Sequence, residues 1–146
     1  MPDTAKAEDL GAFQARAREW MAANLEPLDG ADPFMGHAAD DAGQVVRAKA
    51  IQRKLWDGGF AGLCYPVAYG GQGLTLEYQQ AFNEESRGYE LPVLFTTPTL
   101  TIIIPTILDF GTEEQKQRYI PAALRGKELW VQFLSEPAAG SDLAAR

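Results

Sequence analysis

Apolar residues recur at helical spacing through almost the whole chain, and the breaks between those runs carry glycine, proline or a helix-capping residue. Leu10, Phe13, Ala17 and Trp20 fall on one stripe, and Thr4 is the expected cap of a first helix reaching about residue 24. Pro27, Gly30, Pro33 and Gly36 make the next residues a connecting loop. Val45, Ala48, Ile51 and Leu55 mark a second helix over about residues 39–57, stopped by Gly58 and Gly59. Residues 60–63 return to the core, and residues 66–73 form a glycine-containing loop. Thr75 is the expected cap of a third helix with Tyr78, Ala81, Phe82 and Tyr89 inward. Pro92 and Pro98 bracket a turn, and a fourth, strongly apolar run extends from about residue 99 to residue 110. Thr112, Glu113, Glu114 and Gln115 spell a capping box for a fifth helix, which Pro121 bends or restarts and Gly126 ends. Only residues 131–134 read as a strand. The expected fold class is therefore all-α: an up-and-down helical bundle-like domain over residues 1–128, ending in the first strand of a β-domain that begins over residues 129–146.

A chain of 146 residues is long enough to bury one core of its own. Its net charge of −7, with 13 basic residues spread thinly, excludes a nucleic-acid surface, which needs clustered Lys and Arg. The single cysteine, Cys64, leaves no internal disulfide and fits a reducing compartment. With one histidine, His37, it falls short of the three or four ligands of a protein zinc site, and no metal is expected. The first residues lack the basic-then-apolar order of a secretion signal. The most apolar stretch, residues 100–108, is shorter than the ~20 residues of a membrane helix and carries Pro105, so no membrane span is expected and the location is expected to be cytoplasmic.

Few residues before position 130 invite a chemical role. Gly70, Gly71 and Gly73 lack the preceding strand and the spacing of a phosphate-binding loop, and read as a tight turn between helices. Glu84 and Glu85 point about 100° apart on a helix of ~3.6 residues per turn and cannot share one substrate atom. Glu85, nearer the apolar stripe, is expected to pair with an arginine. His37 and Cys64 lack catalytic neighbours and read as passive. Residues 100–110 either pack in the core, the commoner use of such a run, or line a cavity for an acyl chain. The last stretch is different. Ser135 directly follows the apolar strand, Pro137 stiffens the loop, Gly140 admits close backbone approach and Ser141 offers a hydroxyl. That chemistry suits the polar edge and phosphates of a nucleotide cofactor, while Asp142 caps its own turn.

Leu134-Ser135-Glu136-Pro137-Ala138-Ala139-Gly140-Ser141-Asp142 resembles the TEPxAGSD signature of the acyl-CoA dehydrogenase family, with Ser135 where threonine is commoner. Gly59-Phe60-Ala61-Gly62-Leu63 with Pro66 and Tyr69-Gly70-Gly71-Gln72-Gly73-Leu74 is similar to an earlier stretch of that family, Ala68 standing where an acidic or polar residue is common. Phe110-Gly111-Thr112-Glu113-Glu114-Gln115-Lys116, followed by Tyr119-Ile120-Pro121, resembles a third.

The resemblance implies the N-terminal helical domain of a flavin-dependent acyl-CoA dehydrogenase and the start of its flavin-binding β-domain. Such enzymes use FAD to oxidise an acyl-CoA thioester to the 2,3-enoyl-CoA in lipid and fatty acid metabolism. They form homo-oligomers, dimers or tetramers, and pass electrons to an electron-transfer flavoprotein. Carried over by motif, Gln132, Leu134 and Ser135 would face the flavin ring. Gly140 and Ser141 would lie near the pyrophosphate, with Ser141 also near the thioester end of the substrate. The family's catalytic base is expected beyond residue 146, so no residue here is assigned to it. The 146 residues alone are expected to be inactive and to bind FAD weakly or not at all. Alternatives are a non-catalytic helical interaction subunit, a degenerate paralogue, or an acyl-CoA oxidase.

Overall fold

The computed structural model describes residues 8–28 and 41–132, and among them every named element is a helix or a helical turn. The all-α expectation holds. Helix α1 (Leu10–Asn24) begins at Asp9, whose carboxylate accepts the Gly11 N–H at 3.1 Å. The start expected at Thr4 is thereby corrected, because an aspartate nearer the first apolar residue satisfies the orphan donors; Thr4 itself lies outside the described residues. Phe13, Ala17 and Met21, four apart, form the fully buried face of α1.

Helix α2 (Asp41–Asp57) turns Ala48, Gln52 and Leu55 inward, leaving Val45 and Ile51 half-buried. Gln52 is buried because its Nε2 donates to the Leu124 carbonyl at 2.9 Å. Helix α3 (Leu76–Glu85) starts after Thr75, as expected, although the Thr75 side chain makes no capping hydrogen bond. Tyr89 is not on that helix. A 3-10 turn, Ser86–Gly88, ends it, and Tyr89 instead forms an isolated antiparallel bridge with Pro27. Leu28 N–H to Gly88 O and Glu90 N–H to Glu26 O, both 2.9 Å, tie the ends of α1 and α3 together.

Two apolar clusters result. In the first, Phe13 meets Phe60 and Tyr78 edge-on, with centroids at 5.7 and 5.2 Å, and Phe82 lies beside Phe60. Glu85 closes its rim through two bonds to Arg18, at 2.7 and 2.9 Å, which is the structural pairing expected of it; Glu84 points to solvent. The second cluster gathers Ile104, Ile120, Ala123 and Leu124 around helix α6 (Glu113–Leu124), with Trp56, Tyr65 and Tyr119 packed against it. Thr112 and Gln115 make both bonds of the expected capping box, and Gly126, at φ +68°, follows the helix end.

Residues 66–73 join the clusters. Gly71 lies so close to the preceding chain that an added Cβ would stand 2.1 Å from the Tyr65 carbonyl oxygen, and Gly70 has φ +87°. The turn reading of these glycines is borne out: Gly71 and Gly73 donate to Pro66 O and Tyr65 O, at 3.0 and 2.8 Å. Because backbone cannot move aside like a flexible side chain, Gly71→Ala is expected to cost about 2 kcal/mol or more. Gly88→Ala, where a Cβ meets nothing within 4 Å, should stay within about 0.5 kcal/mol of the parent. Denaturant unfolding of the two variants checks both values.

Candidate functional site

Pro92 and Pro98 do not bracket a turn. Helix α4 (Val93–Thr97), a π-helical turn (Pro98–Ile103) and helix α5 (Ile104–Phe110) follow one another without a break. Proline inside a helix removes a donor and crowds the carbonyl four residues back, and a widened turn relieves the crowding. Ile104 N–H accordingly reaches back five residues to Thr99 O. The carbonyl of Leu100 would then look five residues on for its donor and find Pro105, which has no N–H. Tyr65 supplies the missing proton: its hydroxyl donates to Leu100 O at 2.7 Å. Burial pushes the Tyr65 pKa well above its usual value, which keeps the hydroxyl protonated. Thr96, Thr101 and Thr106 turn their hydroxyls onto carbonyls four residues back, at 2.9, 2.6 and 2.7 Å.

The run over residues 100–110, expected either to pack in the core or to line a cavity for an acyl chain, packs in the core on one side only. Thr99, just before the run, and Ile104 are fully buried, whereas Ile102 is 43% exposed, Phe110 85% exposed and, six residues before the run, Leu94 45% exposed. Packing against α6 can cover only one face of a helix, so an all-round apolar sequence leaves the other face uncovered. The apolar helical stretch is also longer than the sequence suggested. Val93–Phe110 spans 18 residues at mean hydropathy 1.6, long and apolar enough by length and composition to cross a membrane, with little of it buried.

Thr99 has a second contact beyond this helix. Its Oγ1 accepts the Trp130 N–H at 2.8 Å and lies 3.1 Å from the Trp130 carbonyl oxygen, with Phe95 O at 3.3 Å as the other acceptor for its single proton. The Trp130 ring meets Tyr119 edge-on at 5.0 Å and 80°. After Trp130, Val131 and Gln132 carry no strand, which corrects the expected strand at its first two residues. A strand needs a neighbour to complete its ladder, and none lies beside them among the described residues. Val131 is 60% exposed and Gln132 is exposed.

Of the residues assigned to cofactor binding, only Gln132 is described; Leu134, Ser135, Gly140 and Ser141 lie outside the described residues, as does His37. An apolar side chain and a carboxamide, as at Val131 and Gln132, are of the kinds that a flavin's face and edge would take, and both are exposed here. Cys64 is exposed, its Sγ 3.5 Å from Thr75 O, and partial burial raises its thiol pKa, so nothing there favours a thiolate. Sequence reasoning missed Tyr65 and Thr99. Two prolines seven residues apart inside an apolar helical run signal a disturbed helix there, but not which side chains answer it.

A family model described as "Acyl-CoA dehydrogenase, N-terminal domain" matches residues 7–127. Acyl-CoA dehydrogenase IpdE1 of Mycolicibacterium smegmatis is 35% identical over 136 residues, covering 93% of this chain and 35% of that protein. The mitochondrial isovaleryl-CoA dehydrogenase of Pongo abelii is 31% identical over 116 residues, covering 75% of this chain and 27% of that protein. Among solved structures, an acyl-CoA dehydrogenase from Geobacillus kaustophilus aligns with TM-score 0.62 and 25% identity, over 97% of this chain and 35% of that one. The chain spans about a third of the length of these relatives.

Tyr65→Phe removes the donor that serves Leu100 O and is expected to cost about 1–3 kcal/mol in denaturant unfolding at neutral pH. A tyrosine pKa raised by folding stabilises fully below the unfolded value of about 10, and its contribution is lost as pH rises above that. The gap between parent and variant should therefore narrow in unfolding measured at increasingly alkaline pH. A constant gap would show that Tyr65 does not titrate in this way.

Proposed function

This chain belongs to the acyl-CoA dehydrogenase family, and on that footing we propose that the polypeptide carrying it oxidises an acyl-CoA thioester to the 2,3-enoyl-CoA with FAD as its cofactor. The observation that carries this reading is the family match over residues 7–127, continued past its end by the Ser135–Asp142 motif. When bound, FAD would supply the hydride acceptor for the substrate's β-hydrogen. The contribution of this chain is to bind and orient. Gln132, Leu134 and Ser135 would hold the flavin ring; Gly140 and Ser141 would approach its pyrophosphate, with Ser141 also at the thioester end of the substrate. Ser135 keeps the hydroxyl of the commoner threonine and loses only a methyl, so its hydrogen bond is retained. The base that removes the α-proton is not assigned to these 146 residues. The same reading has the enzyme act in the cytoplasm as a homo-oligomer in lipid metabolism, with an electron-transfer flavoprotein taking the electrons.

The test is anaerobic. The polypeptide that carries this chain, purified with its FAD, is mixed with saturated acyl-CoA thioesters of differing length and branching. At least one should bleach the oxidised flavin band and yield the 2,3-enoyl-CoA by mass. Folded, FAD-loaded protein that no acyl-CoA reduces would remove the catalytic reading and leave a binding or interaction role.

A further inference from the structure

We propose that Thr99 is a positioning residue for the flavin, acting by fixing the register of the chain at Trp130; this rests on the functional reading above. Thr99 Oγ1 engages both backbone groups of a single residue, accepting the Trp130 N–H at 2.8 Å and standing 3.1 Å from its carbonyl oxygen. A neighbouring strand offers a backbone the same pair of partners. Here one buried hydroxyl, at 0% exposure, does so from a helix 31 residues earlier in the chain. Tyr119 restrains the same residue independently, through its ring.

Register matters at this place. Gln132, Leu134 and Ser135 follow within five residues in sequence, so where and in which direction the chain leaves Trp130 bears on all three. A contact to one backbone group would leave the chain free to swivel about it. Contact to both the N–H and the carbonyl of Trp130 fixes where the segment starts and which way it faces.

The hydroxyl is itself held in place. Thr99 sits in the π-helical turn, where its own carbonyl takes the Ile104 N–H, and Tyr65 anchors the adjacent Leu100 carbonyl at 2.7 Å. The chain of contacts runs from the residue 66–73 loop through Tyr65 and the widened turn to Trp130. None of these contacts involves a residue assigned to the flavin, so Thr99 acts through the segment it aligns.

The experiment uses the full polypeptide with bound FAD and compares Thr99→Val, Thr99→Ser and Ile104→Val. Valine keeps the shape of threonine and loses the hydroxyl; serine keeps the hydroxyl. Ile104→Val trims a fully buried neighbour on the same helix and serves as the control for lost packing. Three quantities are read: the FAD dissociation constant, the visible circular dichroism of the bound flavin, and thermal unfolding followed in the far ultraviolet. Thr99→Val is expected to weaken FAD binding at least tenfold and to change the visible dichroism. Thr99→Ser should stay within about threefold of the parent, and Ile104→Val should lower the melting temperature without changing the flavin signal. Equal FAD binding and an unchanged spectrum in Thr99→Val would overturn the proposal while leaving the functional reading intact. A parent protein that binds no FAD would overturn both. If Thr99→Val does not fold, Tyr119→Leu decides: a changed flavin dichroism supports the alignment of Trp130 as the cause, and an unchanged one overturns it.

Discussion

Pro98 and Pro105 each take one donor out of a helical stretch that is otherwise continuous from Val93 to Phe110, and the middle of the molecule is arranged around that loss. The turn widens at Pro98–Ile103, and the carbonyl of Leu100 then depends on a donor from outside the helix. Tyr65 can serve because the loop behind it is drawn tight. Gly71 lies against the Tyr65 backbone, and an added Cβ at Gly62 would stand 2.8 Å from a Leu124 methyl, so the loop sits directly on α6. An unpaired carbonyl at this depth would cost more than an ordinary hydrogen bond contributes, which makes the tyrosine a requirement of the widened turn.

Burial and backbone satisfaction hold the two clusters together more than charge does. Arg18–Glu85, Arg53–Asp57 and Arg118–Glu128 each have at least one partner largely in solvent, where such pairs contribute about 0–1 kcal/mol. The connections between clusters are of another kind. Buried Gln52 ties α2 to the end of α6, and Trp56 packs against both clusters. A shift of α6 would therefore be felt at α2, at Tyr65 and, through Tyr119, at Trp130.

What could be read from sequence was whatever depended on neighbours within about a turn. The capping box at Thr112 and Gln115 and the glycine stop after Asp57 are local chemistry, and both stand as expected. The first helix start was misplaced because two acceptable caps, Thr4 and Asp9, precede the same stripe. The π-helical turn was not legible, since its stability depends on Tyr65, 35 residues away from Leu100. The exposure of Ile102 and Phe110 was hidden for a related reason: composition shows that a run is apolar, not how many of its faces find a partner. At the candidate site the motif from Leu134 to Asp142 was readable from its own residue types. Thr99 was not, because an isolated threonine in a helix gives no sign of the backbone it meets.

The stretch from Val93 to Phe110 consequently lives under two kinds of constraint. On the side facing α6, Ile104 fills a place shaped by Ile120, Ala123 and Leu124, and Thr99 has to keep both its size and its hydroxyl. On the other side, Leu94 and Ile102 are only partly covered and Phe110 is almost wholly exposed, so exchanging Phe110 for another helix-forming residue changes the stability by about 0.5 kcal/mol or less. Substitutions there can accumulate without the domain resisting them, so a single helix carries one face that the fold dictates and another that drift and selection can retune without unfolding it.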